Sequence, residues 1–101
     1  MFPSAVQDRL GHALYRVQIG EMPGNVKALR GPLRDALEIV ENDPSGTYRL
    51  VITVKIGEVI YVLHAFQKKS RRKIATPKTE LDLIAQRLRK ARADYDEKTR
   101  R

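Results

Sequence analysis

The sequence contains no cysteine and only two histidines among its 101 residues. The absence of cysteine excludes disulfide bonds and thiolate metal ligands, and it is typical of a protein of the reducing cytoplasm. His12 and His64 are not spaced as metal ligands, and the sequence has neither a glycine-rich phosphate loop nor a helical His-Glu motif. We therefore expect no metal and no other cofactor, and a serine-based catalytic triad has no support beyond these two histidines.

Long apolar runs are absent as well. No run approaches the ~20 residues that a helix needs to span a bilayer, and the first residues lack the charged-then-apolar pattern of an export signal. A hydrophobic content of 42% beside 32% charged residues is typical of a folded globular chain. We therefore expect one cytoplasmic domain over residues 1–101, without membrane contact, whose charged tail frays from about residue 94.

Positive charge is concentrated in the last third of the chain. Residues 1–66 hold 7 Lys or Arg and 7 Asp or Glu, whereas residues 67–101 hold 13 and 5, so the whole net charge of +8 lies in the second segment. Charge segregated in this way favours a polyanionic partner. The alternative interpretation is a solvated basic helix that only aids solubility.

The spacing of apolar residues predicts an α+β fold, in which an antiparallel sheet of about three strands lies between an N-terminal and a C-terminal helix. Residues 4–20 carry apolar side chains at helical spacing, and Gly11 inside this helix indicates close packing against another backbone. The C-terminal helix begins at about Pro77, with Thr76 as its N-cap. The segments between are predicted as a Pro/Gly loop at 21–32, a strand at 33–40 for which a helix is the alternative, a turn at 41–46, and strands at 47–55 and 59–66.

The last two strands are predicted to pair as a hairpin. In the first of them Tyr48 shares one face with aliphatic residues, and Arg49 and Lys55 belong to the opposite face. The second strand is apolar on both faces apart from His64. This pattern predicts a central strand, covered by helices on one side and with room for a partner protein on the other.

A dense run of cations follows the hairpin directly. Lysine and arginine side chains neutralise phosphates, and arginine can do so with two hydrogen bonds. The run therefore predicts an edge that handles RNA. Its candidate RNA-binding residues are Arg71, Arg72 and Lys73, together with Lys55 of the hairpin.

Two hairpin residues are candidates for chemistry. His64 could move a proton to or from a ribose hydroxyl or a leaving oxygen at neutral pH; the alternative is a rim histidine bonded to the backbone. Arg49 could reach a phosphate, and the alternatives are a plain surface charge or an ion pair with Glu38. Phe66 and Tyr61 could stack on bases, although aromatic residues at such positions are more often part of a core.

These residues form a pattern that is known from one protein superfamily. Residues 46–49 (Gly-Thr-Tyr-Arg), residues 60–69 (Ile-Tyr-Val-Leu-His-Ala-Phe-Gln-Lys-Lys) and a Thr-Pro pair before an amphipathic helix resemble the phage-derived HigB-like branch of the RelE/ParE toxin superfamily. The resemblance covers roughly residues 4–92, and residues 61–69 are its specific part.

The resemblance implies an α+β fold with helices packed on one face of an antiparallel sheet. It implies the toxin of a type II toxin–antitoxin system, a metal-independent endoribonuclease (an mRNA interferase) that cuts messenger RNA on the ribosome and inhibits translation. It also implies a helix-turn-helix, HigA-like antitoxin as partner. The catalytic motif positions are Arg49, His64, Lys68 and Lys69, whereas Arg71 and Lys73 match only in basic character.

The sequence departs from the superfamily at its start. Superfamily members usually begin with a strand, but here a helix is predicted from Ser4, which would leave one sheet edge unpaired. This departure supports a second hypothesis: a non-catalytic relative that inhibits DNA gyrase, as the ParE branch does, or that only binds an antitoxin. The cationic run with His64 supports the endonuclease instead.

Cleavage of RNA without a metal needs three groups: one takes the 2′-hydroxyl proton, one stabilises charge on the phosphoryl oxygens, and one protonates the 5′ leaving oxygen. We expect Arg49 and Lys68 to stabilise the phosphoryl charge. His64, or Lys69 favoured as a neutral amine by its cationic neighbours, is expected to act as acid or base.

Overall fold

The computed structural model of the protein describes residues 2–68 and 77–100, and the side chain of Lys68 lies outside that description. The elements in chain order are helix α1 (Ser4–Gln18), strand β1 (Val26–Ala28), a 3₁₀ turn (Gly31–Leu33), strands β2 (Ala36–Asp43), β3 (Gly46–Thr53) and β4 (Val62–Lys68), and helix α2 (Lys78–Thr99). The predicted α+β class, with one helix before and one helix after an antiparallel sheet, is confirmed.

The first helix ends where the sequence predicts. Gly20 has a positive φ of 94°, a conformation that costs glycine little. Its N–H donates to the carbonyl of Val17 at 3.0 Å, and the N–H of Glu21 donates to the carbonyl of Arg16 at 2.9 Å. This pair of bonds is a Schellman motif, which satisfies carbonyls that the end of a helix would otherwise leave without donors.

The sheet has the order β1-β2-β3-β4, with every neighbouring pair antiparallel. Strand β1 lies inside the predicted Pro/Gly loop and adds a fourth strand to the three that the sequence indicates. It is only three residues long, and it pairs Val26 with Ile39 of β2. Three residues are too few to show an alternating pattern, which is why the sequence does not reveal this strand.

Strand β2 is displaced from its predicted position at 33–40. It begins at Ala36 because Gly31–Leu33 form a 3₁₀ turn, and it runs on to Asp43, which pairs with Gly46. The predicted turn is therefore shorter than six residues. It is closed by Asp43, whose carboxylate accepts hydrogen bonds from the hydroxyl and the backbone N–H of Ser45 at 2.7 and 3.1 Å.

The predicted hairpin of β3 and β4 is confirmed, since the two strands pair antiparallel from Thr47↔Lys68 to Ile52↔Val62. The predicted central position of β4 is wrong. Within residues 2–68 and 77–100, β4 is an edge strand of the sheet, and Val62 at its start is 57% exposed. Apolar side chains on both faces of β4 therefore do not imply a neighbouring strand at each of its edges. Helix α2 covers one face of β4, and β3 is its neighbour within the sheet.

The two helices lie on opposite faces of the sheet, so the expectation that both pack on one face is wrong. Consecutive residues of β3 separate the two cores: Ile52 packs with α1, and Val51 packs with α2. The core under α1 consists of Val6, Leu10, Ala13, Val17, Val26, Leu37, Ile39, Tyr48 and Ile52. The core under α2 consists of Leu33, Ala36, Val51, Leu63, Ile84, Leu88 and Ala91.

Helix α2 continues to Thr99, through the charged segment from about residue 94 for which fraying is predicted. Its last turns contact the β3–β4 loop: the hydroxyl of Tyr61 donates to Asp94 at 2.8 Å, and Tyr95 lies against Gly57. These contacts stabilise a charged helix end that has no apolar stripe of its own.

Two glycines provide a matched test of this packing. Gly57 has a φ of +59°, and a methyl group there would overlap the hydroxyl of Tyr95. Gly11 lies on the exposed side of α1, where an added methyl group would meet nothing within 4 Å, so the predicted close packing there is wrong. We expect Gly57→Ala to lower the free energy of unfolding by about 1 kcal/mol or more, and Gly11→Ala to raise it by up to about 1 kcal/mol.

Urea denaturation of both variants measures these changes. Equal effects of the two substitutions would contradict the assignment of Gly57 to a left-handed position against Tyr95.

Candidate active site

A β-bulge in the β3–β4 hairpin sets the geometry of the candidate site. The register shifts between Val51, which pairs with His64, and Ile52, which pairs with Val62, so Leu63 is the extra residue. Because the bulge breaks the alternation, Leu63 and His64 both turn toward α2. Leu63 is buried in the core under that helix, and His64 contacts its polar side chains.

His64 is held between two residues of α2. Its Nε2 atom is hydrogen-bonded to the carboxylate of Glu80, and its Nδ1 atom lies 3.0 Å from Nη1 of Arg87. The ring also stacks on Phe66, with 5.2 Å between centroids and 21° between planes. The imidazole is 16% exposed, so His64 is a rim histidine bonded to side chains rather than to the backbone.

Arg49 lies beside this histidine on β3. It pairs directly across the strands with Phe66, and diagonal neighbours in a sheet are about 7–8 Å apart, so Arg49 and His64 belong to one face. The guanidinium forms an ion pair with Glu38, whose side chain is only 7% exposed. Nε of Arg49 is buried without an acceptor in the described part of the chain, which leaves a hydrogen-bond donor unused.

The remaining candidates fall into three groups. Lys68 pairs with Thr47 at the end of β4, two positions beyond Phe66. Lys55 lies after β3, six positions from Arg49 or about 20 Å along an extended chain, where it pairs with Glu58 at 3.6 Å. The structure therefore does not bring Lys55 to the same groove as Arg49. The candidates Lys69, Arg71, Arg72 and Lys73 lie outside the described residues.

A row of side chains thus runs across the sheet face from β3 to α2, in the order Arg49, Phe66, His64, Arg87. Its two cations can bind phosphate oxygens, and the partly buried Phe66 offers an aromatic surface to a base. The imidazole of His64 lies between Phe66 and Arg87 in this row. This combination suits a single-stranded polynucleotide.

Glu80 was not a candidate from the sequence, and Arg87 was considered only, with Arg89 and Lys90, as part of an alternative RNA-binding surface, without a predicted contact to His64. The signal that could have revealed them is helical spacing: positions 80, 87 and 94 follow a seven-residue repeat beside the buried Ile84 and Ala91. Polar side chains at the border of a buried stripe need partners in the protein.

The other histidine, His12, lies far from this row. It lines a groove of about 360 Å³ beside α1, on the opposite side of the sheet. Arg9 in that groove is already bonded to Glu41 at 2.6 Å and to Asp43 at 3.1 Å, so its charge is locally neutralised. This groove combines charges of both signs and has no Phe, Tyr or Trp in its lining, which makes it a poorer site for a polyanion.

Two further properties of residues 2–68 and 77–100 bear on the site. No three His, Asp or Glu side chains in this part of the chain lie close enough together to hold a metal ion. Neither of its helices has the length and apolar composition that crossing a bilayer requires.

The sheet with one helix on each face defines the class, a small α+β protein, and its last strands carry the row of cationic and aromatic side chains. A family model described as "Phage derived protein Gp49-like (DUF891)" matches residues 1–89. The chain therefore belongs to the Gp49-like family, a toxin-like family of toxin–antitoxin systems. Neither the curated proteins nor the solved structures contain a match to it.

The contact between Tyr61 and Asp94 makes stability depend on pH. The hydrogen bond from Tyr61, followed by that from Lys98, lowers the pKa of Asp94 below its usual value. The carboxylate of Asp94 therefore binds a proton more tightly in the unfolded chain than in the folded one. The stabilisation that it gives the folded state is complete above about pH 4, and it is lost as the pH falls through the lowered pKa of the folded state. Partial burial and the bond to Asp94 raise the pKa of Tyr61, so its contribution is lost only in strong alkali, above about pH 10.

We expect Asp94→Asn to reduce the loss of unfolding free energy between about pH 5 and pH 2. The matched control is Asp96→Asn, since Asp96 lies in the same helix and its carboxylate makes no hydrogen bond within the described residues. Urea denaturation at a series of pH values measures the effect. If both variants lose the same unfolding free energy between about pH 5 and pH 2, the role of Asp94 is ruled out.

Proposed function

We propose that this protein is the toxin of a type II toxin–antitoxin system, of the HigB-like branch of the RelE/ParE superfamily, and that it cuts messenger RNA on the ribosome. One observation carries the proposal: in a chain of a toxin-like family, Arg49 and His64 share one sheet face with Phe66 between their positions. The basic run that follows β4 in the sequence supports binding of the polynucleotide.

The proposed reaction is transesterification within the RNA. The 2′ oxygen attacks the adjacent phosphorus, the bond from phosphorus to the 5′ oxygen breaks, and the products are a 2′,3′-cyclic phosphate and a 5′-hydroxyl. One proton leaves the 2′-hydroxyl and one joins the 5′ oxygen, so no proton is gained or lost overall. His64 is the proposed proton-transfer group, with Lys69 as the other candidate.

Arg49 and Lys68 are the proposed electrostatic groups of this reaction. Negative charge grows on the non-bridging oxygens in the transition state, so a fixed cation stabilises it more than it stabilises the bound substrate. Arg49 bonds to Glu38 through Nη1 and its side chain is 20% exposed, so part of the guanidinium can face a bound phosphate. Arg71, Arg72 and Lys73, with Lys55, are proposed to add affinity through phosphate contacts.

The proposed partner besides ribosome-bound messenger RNA is a helix-turn-helix, HigA-like antitoxin. The second candidate function is binding without catalysis, either inhibition of DNA gyrase or antitoxin binding alone. It is favoured by one observation: the pairing of Arg49 with Glu38 and of His64 with Glu80 is also what a purely structural role would give.

Inducible expression of the chain tests the proposal. We expect growth to stop with loss of protein synthesis and with cleavage of messenger RNA, and we expect co-expression of the antitoxin to restore growth. Loss of DNA supercoiling while translation and messenger RNA stay intact would instead establish the gyrase-inhibitor alternative.

A second experiment tests the roles of Arg49 and Lys68. Removing Arg49 alone would leave Glu38 as an unpaired buried charge, a change that typically costs about 3–5 kcal/mol of stability. The double variant Glu38→Gln/Arg49→Gln avoids this charge, and Glu38→Gln alone is its control. In single-turnover cleavage of ribosome-bound message, we expect the double variant and Lys68→Ala each to be slower than the control by about 10²–10³.

The result that contradicts these roles is cleavage at near wild-type rates once RNA binding is saturated. Arg49 and Lys68 would then only bind RNA, and His64 would be the first candidate for the chemistry.

A further inference from the structure

The hydrogen bonds of His64 determine which nitrogen carries the proton. Nη1 of Arg87 lies 3.0 Å from Nδ1, and a guanidinium group can only donate hydrogen bonds. Nδ1 is therefore the acceptor and carries no proton. Nε2 faces the carboxylate of Glu80, which accepts when it is ionised, so Nε2 carries the proton and the ring is in one neutral tautomer.

Arg87 is itself held in place by the backbone of β4. Its Nη1 atom donates a second hydrogen bond, to the carbonyl of Leu63 at 2.8 Å. That carbonyl belongs to the extra residue of the bulge, next to His64 in the chain. The bulge thus supplies both acceptors of one guanidinium nitrogen, which explains why the imidazole and Arg87 meet at this point.

This arrangement leaves neither nitrogen of His64 available for a reaction. A proton arriving at Nδ1 would place an N–H group against the N–H group of Arg87. The proton on Nε2 can pass only to Glu80, which is an unproductive exchange. For His64 to accept a proton from a ribose hydroxyl, Arg87 has to leave Nδ1 first.

A phosphate group is suited to move Arg87. The residue is exposed, and together with Lys90 it lines a groove of about 250 Å³ between α2 and β4. The one carboxylate in this lining, Asp94, is already bonded to Tyr61 at 2.8 Å and to Lys98 at 3.1 Å. Hydrogen bonds between a guanidinium and a phosphate are charge-assisted and can be bidentate, whereas the bond to neutral imidazole has a neutral acceptor and a single contact. A phosphodiester in the groove therefore competes well for the Arg87 side chain, and Leu63, the neighbour of His64 in the chain, lines the same groove.

We propose that Glu80 and Arg87 are positioning residues for His64, and that a phosphodiester of bound RNA draws Arg87 away from Nδ1, which frees that nitrogen to accept the 2′-hydroxyl proton. This inference rests on the proposed ribonuclease function. Glu80 keeps its bond to Nε2 throughout, holds the ring in place and stabilises the charged imidazolium once Nδ1 is protonated, as the carboxylate of a catalytic triad does. In the free protein Arg87 thus prevents Nδ1 of His64 from accepting a proton, and bound RNA removes Arg87 from that nitrogen.

The first experiment needs no RNA. Nitrogen-15 NMR of the imidazole in the full chain reports which nitrogen is protonated and whether the other accepts a hydrogen bond. We expect a protonated Nε2 and a hydrogen-bonded, unprotonated Nδ1. Arg87→Met should remove the hydrogen-bond shift of Nδ1, Arg87→Lys should restore part of it, and Arg89→Met, which removes the same charge from another side of α2, should leave it unchanged.

The second experiment adds an RNA oligonucleotide whose 2′-hydroxyls are methylated, so that it binds but is not cut. We expect the Nδ1 resonance of the wild-type protein to move to its position in Arg87→Met as RNA saturates. A protonated Nδ1 in the free protein, no effect of Arg87→Met, or an unmoved Nδ1 resonance in RNA-saturated protein would each overturn the inference.

Cleavage assays separate the two positioning residues. We expect Arg87→Met to raise the RNA concentration needed for half-maximal rate about 10-fold or more, as the loss of a hydrogen bond to a charged group does, with the saturated rate changed only a few-fold. Glu80→Gln should leave that concentration unchanged and lower the saturated rate by about 10²-fold or more. The assignment of roles to Arg87 and Glu80 would be overturned if Arg87→Met lowered the saturated rate at an unchanged half-saturating RNA concentration while Glu80→Gln raised that concentration at an unchanged saturated rate.

Absence of any RNA cleavage by the wild-type protein would overturn the proposed function alone. The tautomer and its dependence on Arg87 are measured without cleavage, so they stand or fall independently.

Discussion

Strand β3 has to be buried on both faces at once, and the rest of the fold depends on this constraint. Side chains alternate along a strand, so Ile52 and Val51 point to opposite sides, yet both are fully buried. Each side chain of this kind contributes about 1.5–3 kcal/mol when it leaves water. One core is completed by α1 from the start of the chain and the other by α2 from its end, so the sheet is covered only when both helices have docked.

The two helices are held differently, and the difference bears on function. Helix α1 packs through four buried apolar residues at helical spacing. Helix α2 buries only Ile84, Leu88 and Ala91, and polar contacts to the sheet side hold it along the rest of its length. These contacts join Glu80 and Arg87 to His64, Asp94 to Tyr61, and Arg92 to Asp35. Two of the residues that dock α2, Glu80 and Arg87, are therefore also the residues that hold His64, so stability and site geometry are coupled.

On the sheet face that α2 covers, carboxylates already pair with the candidate site residues. Glu38 pairs with Arg49 and Glu80 bonds to His64, so this face is less positive than a count of its basic residues suggests. A ligand has to compete with these internal partners, and a phosphodiester can do so because it offers several anionic oxygens at once. An anion that makes only one contact is then a poor competitor. A polynucleotide, which makes several phosphate contacts at once, is favoured.

The sequence by itself determined the elements whose signal is local: the apolar stripe and glycine stop of α1, the β3–β4 hairpin, the start of α2 and the alternation that places Arg49 opposite Tyr48 on β3. It also singled out Arg49 and His64, because charged and titratable side chains stand out in apolar strands. Strand β1 was too short to show a period, and the position of β4 at the edge depends on which strands pair, which local pattern does not encode. Only the tertiary structure placed the helices on opposite faces and brought Glu80 and Arg87 to His64, since a bulge in the hairpin and the docking of a helix 16 and 23 residues further along the chain together create that contact.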